Sequence, residues 1–365
     1  MLKLLLNRKV WALPWKFKLF ILRYFLSIRN PDNVQKINGG RVLSIYLPPF
    51  PSQAFDTFLD AQVRASRGTA VPEIVNISLT SECHNGCWHC LTSEEENELD
   101  GDVLLETIGS LKQMGTFQFL FTGGNPLLRD DLETLVSAAS GSSVALVSTP
   151  GPLDRERAVS LKKAGCQGVL IALEHHEREI NDELMGSSGA FERSLDSIEN
   201  AREAGLLTGT WIVATSETIN DMDAYLRFVK EKGVTDVAVF EPMLVDEGYL
   251  LDDEDRKYLR ELQKASKKVK GYPRIISGPF MDSEEFMGCT AGYNRLHISA
   301  SGDVYPCDML RDSWGNINDE DITSIWKRMH DRYSQPICGC IALEKVDEEL
   351  PEYYNCLIRK GVRRG

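Results

Sequence analysis

Three cysteines, Cys83, Cys87 and Cys90, stand close together with the spacing C-x3-C-x2-C. Thiols this close cannot all pair with one another, but their thiolates can surround one metal centre. A structural zinc site takes four protein ligands, so His84 or His89 of the same short loop would have to complete it. A four-iron cluster can use three thiolates and leave one iron open for a cofactor or substrate. The spacing predicts a metal centre, which can be either a zinc site or a four-iron cluster.

A second group of cysteines lies near the C-terminus. The chain has nine cysteines, an odd number that argues against a complete disulfide framework. Their clustering is typical of metal or cluster ligation in a reducing compartment, which predicts a cytoplasmic protein. Cys166 stands alone and is interpreted as a buried small side chain. The C-terminal group consists of Cys289, Cys307, Cys338, Cys340 and Cys356.

The elements that must position the first group alternate between strand and helix from residue 74 onward. Apolar Val75, Ile77 and Leu79 alternate with polar neighbours, which predicts a strand that ends just before the cysteines. Six such β/α units predict a parallel sheet with helices outside, as an open wound sheet or a barrel. Chemistry in these folds lies at the C-terminal ends of the strands. The predicted strands are 75–80, 117–121, 144–147, 169–173, 210–214 and 237–240.

The end of the second predicted strand carries two glycines, Gly123 and Gly124, followed by Asn125 and Pro126. Glycine allows backbone groups to approach a ligand closely, and exposed carbonyls can accept hydrogen bonds from an ammonium group. Taken alone, a Gly-Gly-x-Pro sequence is an ordinary turn. Its position beside the cysteine loop favours a binding function.

Together these features resemble the radical S-adenosylmethionine (SAM) superfamily, whose hallmark is C-x3-C-x-Φ-C after strand one of a six-unit β/α barrel. The match covers about residues 74–245. The resemblance implies that Cys83, Cys87 and Cys90 hold a [4Fe–4S] cluster whose open iron binds SAM. His89 occupies the aromatic position, which in the family lies near the adenine. The family has a Gly-Gly-Glu-Pro-like motif where this chain has Gly123–Pro126.

Within that resemblance, Asn125 replaces the usual Glu and removes a negative charge near the SAM amino group. Ser148 and Glu174 fall at strand ends that contact SAM in the family. Either side chain could bond ribose hydroxyls or the amino-acid moiety of SAM. The alternative for each is a polar loop residue satisfied by the protein itself.

The C-terminal cysteines resemble the SPASM/Twitch extension of the same superfamily, in which C-x(9–15)-G-x4-C binds an auxiliary cluster. Twelve residues separate Cys289 from Gly302, and Cys307 follows. Five cysteines instead of seven imply one auxiliary [4Fe–4S] cluster, held by Cys289, Cys307 and others from Cys338, Cys340 and Cys356. We favour one of Cys338 and Cys340 together with Cys356. A zinc knuckle is the alternative. Residues 297–300 and 303–305 are predicted to form a hairpin.

The resemblance implies reductive cleavage of SAM to a 5′-deoxyadenosyl radical that abstracts a substrate hydrogen atom. The auxiliary cluster points to an oxidation or maturation reaction on a peptide or protein, a lipid or a small molecule. The electron donor would be a ferredoxin or flavodoxin. The rival hypothesis is a non-catalytic iron–sulfur or zinc protein, an electron carrier or scaffold, which needs no SAM binding.

The charge of the chain is unevenly distributed. The net charge of the 365 residues is −13, which argues against nucleic-acid binding. Residues 1–30 contain seven Lys or Arg and no Asp or Glu, so the remainder carries −20. Charges interrupt every apolar run here, which fits neither a signal peptide nor a spanning helix. Two interpretations stay open: peripheral association of residues 1–30 with an anionic membrane surface, or a helical arm packed on the catalytic domain.

The sequence therefore predicts an α/β fold: a partial (β/α)6 TIM-like barrel with an N-terminal helical and basic extension and a small C-terminal Fe–S domain. The expected boundaries are 1–73 for the extension, 74–275 for the radical SAM core and 276–365 for the auxiliary-cluster domain.

Overall fold

The computed structural model describes residues 8–15, 17–19, 21–22, 34–37, 40–90, 98–242, 250–283, 286–310, 312–337 and 339–342. The strands are β1 Gln35–Ile37, β2 Gly40–Val42, β3 Ile74–Thr80, β4 Gln118–Gly123, β5 Ser143–Ser148, β6 Gly168–Ala172, β7 Leu207–Val213, β8 Asp236–Phe240, β9 Arg274–Ser277, β10 Arg295–Ile298 and β11 Val304–Tyr305. The helices are α1 Arg8–Ala12, α2 Gln53–Ala65, α3 Gly101–Met114, α4 Leu132–Ala138, α5 Arg155–Ala164, α6 Arg178–Leu184, α7 Ala190–Ala204, α8 Met222–Glu231, α9 Asp253–Ser266, α10 Gly278–Met281 and α11 Ile322–Arg332. Among these described helices, none is both long enough and apolar enough to cross a bilayer.

One sheet organises the molecule, with the strand order β11-β10-β3-β4-β5-β6-β7-β8-β9. Neighbouring strands are parallel from β10 to β9, and β11 alone runs antiparallel, to β10. Helices connect the successive parallel strands of this sheet, because a parallel pair needs a crossover connection. The α/β class and the partial TIM-like barrel are confirmed, as is the pairing of the C-terminal hairpin.

The sheet is wider than the six predicted strands. A seventh β/α unit follows β8, consisting of α9 and β9, and β10 pairs in parallel with β3 through the register His297↔Asn76. The hairpin that carries the second cysteine region is therefore joined to the barrel by backbone hydrogen bonds. Cys83, Cys87 and Cys90 follow the C-terminal end of β3, whereas Cys289 precedes β10 and Cys307 follows the antiparallel β11, near the N-terminal end of β10.

Local signals in the sequence fix the ends of the helices. Gly115, Gly165 and Gly205 end α3, α5 and α7 in the left-handed conformation, which glycine adopts without steric cost. At the start of α2, the Ser52 side chain accepts a hydrogen bond from the backbone N–H of Phe55 at 3.1 Å. The helices thereby cover the outer face of the sheet, whose buried side chains form the main core.

A segment from the N-terminal extension fills the lower interior of the barrel. Residues 40–47, which we call the plug, place Val42 and Ile45 against the inward side chains of Leu120, Leu170 and Leu207. Two side-chain amides hold this backbone: Gln118, the first residue of β4, donates to the Ile45 carbonyl at 2.7 Å, and Gln167, directly before β6, donates to the Leu47 carbonyl at 3.0 Å. The plug closes the barrel at the N-terminal ends of the strands.

Candidate active site

The first cysteine group lies on the loop after β3, at the C-terminal edge of the sheet. The side chains of Cys83, Cys87 and Cys90 all line one cavity. The Cys83 sulfur lies 3.5 Å from the Thr149 hydroxyl oxygen at the end of β5. Burial raises the pKa of the Cys87 thiol, and the carboxylate of Glu174 raises it further. Three thiols from one loop therefore face a common space.

The region after α6 supports this loop from the side. The backbone N–H of Gly86 donates to the Met185 carbonyl at 3.1 Å, and that of Trp88 donates to the Leu184 carbonyl at 3.3 Å. A β-carbon at Gly186 would lie 2.3 Å from the Gly86 carbonyl oxygen, so only glycine permits this approach. The positions of the thiols thus depend on the segment that follows β6.

Gly123 and Gly124 also line the cavity. Both positions require glycine because backbone carbonyl oxygens of the neighbouring chain occupy the space that a side chain would need. Gly123 has a φ of +130°, and its β-carbon would lie 2.2 Å from the Thr80 carbonyl oxygen. A β-carbon at Gly124 would lie 2.3 Å from the Glu82 carbonyl oxygen. The two glycines let the end of β4 lie directly against the chain that enters the cysteine loop.

Asn125, Pro126 and Ser148 are buried behind the cavity wall and are not among its lining residues. The Asn125 side-chain oxygen accepts from the Ser148 hydroxyl at 3.0 Å and from the Leu127 N–H at 3.1 Å. Its backbone N–H donates to the Glu82 carbonyl at 2.7 Å. The structure gives these three residues a supporting position beneath the glycine turn.

Glu174 reaches the cavity only through His89, which lines it. One carboxylate oxygen of the fully buried Glu174 lies 3.0 Å from His89 Nε2, and the other accepts from the Val213 N–H at 2.9 Å. The His89 ring lies edge-on to the Trp211 ring, with centroids 5.7 Å apart. The carboxylate therefore fixes the orientation of the imidazole in the cavity wall.

The second cysteine group brings three thiols together behind the opposite wall. Cys289 and Cys307 are each 7% exposed. The Cys340 thiol donates a hydrogen bond to the Cys289 sulfur, which lowers the pKa of Cys289 to about 6. Burial raises the pKa of the Cys307 thiol. Cys338 and Cys356, the other predicted ligands, lie outside the described residues.

The cavity lies between these two groups. Its second wall includes Arg295, His297 and Ser299 from β10 and its C-terminal continuation, with Asp308 directly after Cys307. Burial opposes the charge of Arg295, but Asp308, Asp282 and the nearby cysteines raise its pKa above the usual range. We did not predict these residues from the sequence, although the polar positions of Arg-Leu-His-Ile-Ser alternate with apolar ones in the same way as in β3.

The donor set fits iron–sulfur clusters. Thiolates are soft ligands that iron–sulfur clusters select. Within the described part of the chain, no three His, Cys, Asp or Glu side chains converge closely enough to hold a single metal ion. A four-iron cluster is wider than one ion and takes thiolates that lie farther apart, and the three cysteines of the first group all line one cavity. The seven described cysteines are all free thiols.

Comparison with known families agrees with this geometry. Residues 77–229 match the model of the radical SAM superfamily, and residues 289–353 match SPASM, an iron–sulfur cluster-binding domain. The chain belongs to the radical SAM superfamily. Radical SAM enzymes bind a [4Fe–4S] cluster together with SAM, and a SPASM domain binds auxiliary iron–sulfur clusters. This radical SAM enzyme therefore uses a [4Fe–4S] cluster with SAM, together with auxiliary iron–sulfur clusters.

Several named relatives of this radical SAM enzyme differ in their reactions. It is 26% identical over 297 residues to the Fe-coproporphyrin III synthase of Methanosarcina barkeri, covering 71% of this chain and 74% of that one. It is 24% identical to an AdoMet-dependent heme synthase of Oleidesulfovibrio alaskensis, covering 72% and 76%. A probable GTP 3′,8-cyclase of Methanocella arvoryzae is 26% identical, covering 66% and 82%.

Solved structures share the fold of this radical SAM enzyme. Streptococcus suis SuiB bound to SAM superposes with a TM-score of 0.60 at 15% identity, covering 77% of this chain and 72% of that one. Native anSMEcpe with bound AdoMet and a peptide gives a TM-score of 0.61 at 18% identity, covering 78% and 94%.

Proposed function

We propose that Cys83, Cys87 and Cys90 hold the [4Fe–4S] cluster that binds SAM, and that the substrate loses a hydrogen atom in the cavity beside them. The observation that carries this proposal is that one cavity is lined by all three thiols, by both glycines of the β4 turn and by the β10 wall next to the auxiliary cysteines. When bound, the reduced cluster supplies one electron that cleaves SAM to methionine and a hydrogen-abstracting 5′-deoxyadenosyl radical.

The protein supplies position and a walled cavity for this chemistry. The plug blocks the lower end of the barrel, with Tyr46 in the cavity floor, and the rings of Trp211 and Phe240 line the side. These groups bound the cavity at its floor and along this side. His89, held by Glu174, provides an oriented ring beside the thiols, where SAM would lie.

We further propose that Cys289, Cys307 and Cys340 hold one auxiliary [4Fe–4S] cluster, with a fourth ligand from Cys338 or Cys356. The described thiols of this set lie behind the β10 wall, next to Arg295. An electron acceptor at this place supports an oxidation or maturation reaction, with the first electron coming from a ferredoxin or flavodoxin. The relatives are named for coproporphyrin, heme and GTP chemistry, so their names do not single out one substrate for this chain.

The test is SAM cleavage by the anaerobically reconstituted full chain with dithionite as reductant. We expect 5′-deoxyadenosine from the wild type and none above background from Cys83→Ala, Cys87→Ala or Cys90→Ala. Cys166→Ala is the matched control, because Cys166 is fully buried in the main core and does not line the cavity. Equal background levels in all five proteins would favour a non-catalytic electron carrier or scaffold instead.

A further inference from the structure

The N-terminal segment is anchored to the barrel by one apolar face. Val10, Leu13 and Ile21 are buried and pack with Phe55 and Phe58 of α2. The Lys9 ammonium lies 2.7 Å from the Asp60 carboxylate, also on α2. The described residues between 15 and 22 are helical. This segment is therefore packed on the body of the protein, as the helical-arm interpretation of residues 1–30 expects. Its association with a membrane surface is a separate question.

A second apolar face of the same segment points away from the protein. This outer stripe consists of Trp11, Trp15, Leu19 and Leu22, which are 69%, 66%, 40% and 41% exposed. Trp15, Leu19 and Leu22 follow one another at intervals of four and three residues, which places them on one side of the helical stretch that begins at Trp15. Trp11 belongs to α1, which ends at Ala12, and the Lys18 ammonium 5.4 Å from its ring centroid shows that it lies beside that stretch. The stripe includes the two most exposed large apolar side chains of the described residues, and both are tryptophans.

Such a stripe is unusual on a free surface. Four other large apolar side chains of the described residues are comparably exposed, and they are scattered: Val34, Ile180, Tyr258 and Val269. Scattered apolar side chains are normal, whereas contiguous ones mark an interaction surface. Exposed tryptophan is costly in water but favourable where an apolar layer meets a polar one, because the ring is apolar and the N–H is polar.

The charge around the outer stripe is positive. Residues 1–30 carry +7 with no acidic residue, while the rest of the chain carries −20. The Lys18 ammonium lies 5.4 Å from the centroid of the Trp11 ring, directly beside the stripe. An acidic body with one cationic, aromatic edge is repelled by anionic surfaces everywhere except at this edge. The occupant must therefore be both apolar and anionic.

We infer that the outer stripe docks the enzyme on the surface of a membrane that contains anionic phospholipid. The tryptophan and leucine side chains enter the interface, and the positive charge of residues 1–30, which includes Lys18 beside the stripe, is attracted to the anionic headgroups. The inner face keeps the barrel attached to this anchor. This inference is independent of the radical chemistry, because the outer stripe lies outside the cavity lining.

The test uses the full chain in a vesicle sedimentation assay. We expect binding to phosphatidylcholine vesicles that contain phosphatidylglycerol, weaker binding at high salt, and a blue shift of tryptophan fluorescence on binding. Vesicles of phosphatidylcholine alone should bind much less. The double variant Trp11→Ser, Trp15→Ser should lose at least about tenfold in vesicle affinity, since it removes most of the inserted apolar area.

The matched control is Tyr258→Ser, Val269→Ser, which removes exposed apolar side chains elsewhere and should bind as the wild type does. Circular dichroism of all variants checks folding. Equal vesicle binding by the two double variants, or no binding to anionic vesicles, would overturn the inference. So would a concentration-dependent dimer that Trp11→Ser, Trp15→Ser abolishes in the absence of vesicles, since the stripe would then bind a second copy.

Discussion

Glu174 acts on the cavity from behind its wall. Its two oxygens are divided between His89 and the backbone N–H of Val213, and the side chain is fully buried. The sequence resemblance implies that Glu174 contacts SAM, and that contact stays a prediction. Its place behind His89 supports a positioning role, in the same sense that outer partners of metal ligands orient the ligands themselves.

Replacement of Glu174 should separate stability from activity. Glu174→Gln can still accept from Val213 but presents an N–H to His89, so we expect about tenfold slower 5′-deoxyadenosine formation with little loss of stability. Glu174→Ala leaves the Val213 N–H without its partner and should also lower the free energy of unfolding by about 1–3 kcal/mol. Rate assays and urea unfolding measure the two effects. A wild-type rate in Glu174→Gln would refute the positioning role.

Glu73 makes stability depend on pH. This carboxyl is buried where α2, β3 and the start of β10 meet, and burial raises its pKa to about 8, although Gln62 and Asn294 donate hydrogen bonds to it. The folded state therefore keeps a proton that the unfolded chain releases near pH 4.5. The stability present below that pH is lost as the pH rises towards about 8.

Glu73→Gln should remove this dependence. We expect the variant to match the wild type in unfolding free energy near pH 5 and to exceed it near pH 8, with an upper bound of about 5 kcal/mol, since each pKa unit corresponds to about 1.4 kcal/mol. Glu106→Gln, at an exposed site of α3, is the control and should keep the wild-type slope. If urea unfolding shows the wild-type slope for Glu73→Gln, the assigned protonation is wrong.

The sequence indicated the thiols of the site better than its other residues. Cys83, Cys87 and Cys90 are close in sequence, so their spacing alone predicts a shared centre. Tyr46 and Arg295 lie far from them in the chain, and only the barrel brings them to the same cavity. Alternating polar residues in a strand usually indicate a face towards solvent. Here Asn76 faces the cavity instead, because the inside of the barrel is polar at its functional end.

At the scale of elements, the junction between β3 and β4 controls the cysteine loop. A β-carbon at Gly124 would meet the backbone oxygen of Glu82, which cannot rotate away as a side chain would. Gly124→Ala should therefore shift the loop, lower the free energy of unfolding by about 1–3 kcal/mol and reduce the iron bound after reconstitution. Unfolding titration and iron analysis measure the two changes.

Gly109→Ala provides the matched control for this prediction. Gly109 lies within α3, and its β-carbon would meet no atom within 4 Å. We expect normal iron content and a stability gain of about 0.5–1 kcal/mol, because alanine favours the helix. If Gly124→Ala behaved in the same way, the close contact with the cysteine loop would not be a constraint.

The regular part of the barrel could be predicted, and its closure could not. Strands β3 to β8 have apolar patterns, and the helices α3, α5 and α7 between them end at a glycine; both are local signals. The pairing of β10 with β3 joins segments more than 200 residues apart, and no local pattern reports it. The plug was interpreted as part of an extension, because its burial depends on amides such as Gln118 and Gln167 that lie far along the chain. Unit α9–β9 was not predicted from the sequence.

At the scale of the whole molecule, one cavity separates two groups of thiols. The first lies on the loop after β3, and the second lies behind β10. The β10–β3 pairing holds the two groups on one frame, so the distance between them is set by the sheet. We therefore expect two clusters that assemble independently, only one of which responds to SAM.

Iron content combined with electron paramagnetic resonance of the reduced protein, with and without SAM, tests this requirement most directly. We predict about eight irons per wild-type chain and a spectrum that changes when SAM is added. The variant Cys289→Ala, Cys307→Ala should keep about four irons and the response to SAM. The triple variant Cys83→Ala, Cys87→Ala, Cys90→Ala should also keep about four irons but lose that response. A SAM-dependent change that survives in the triple variant would contradict the account.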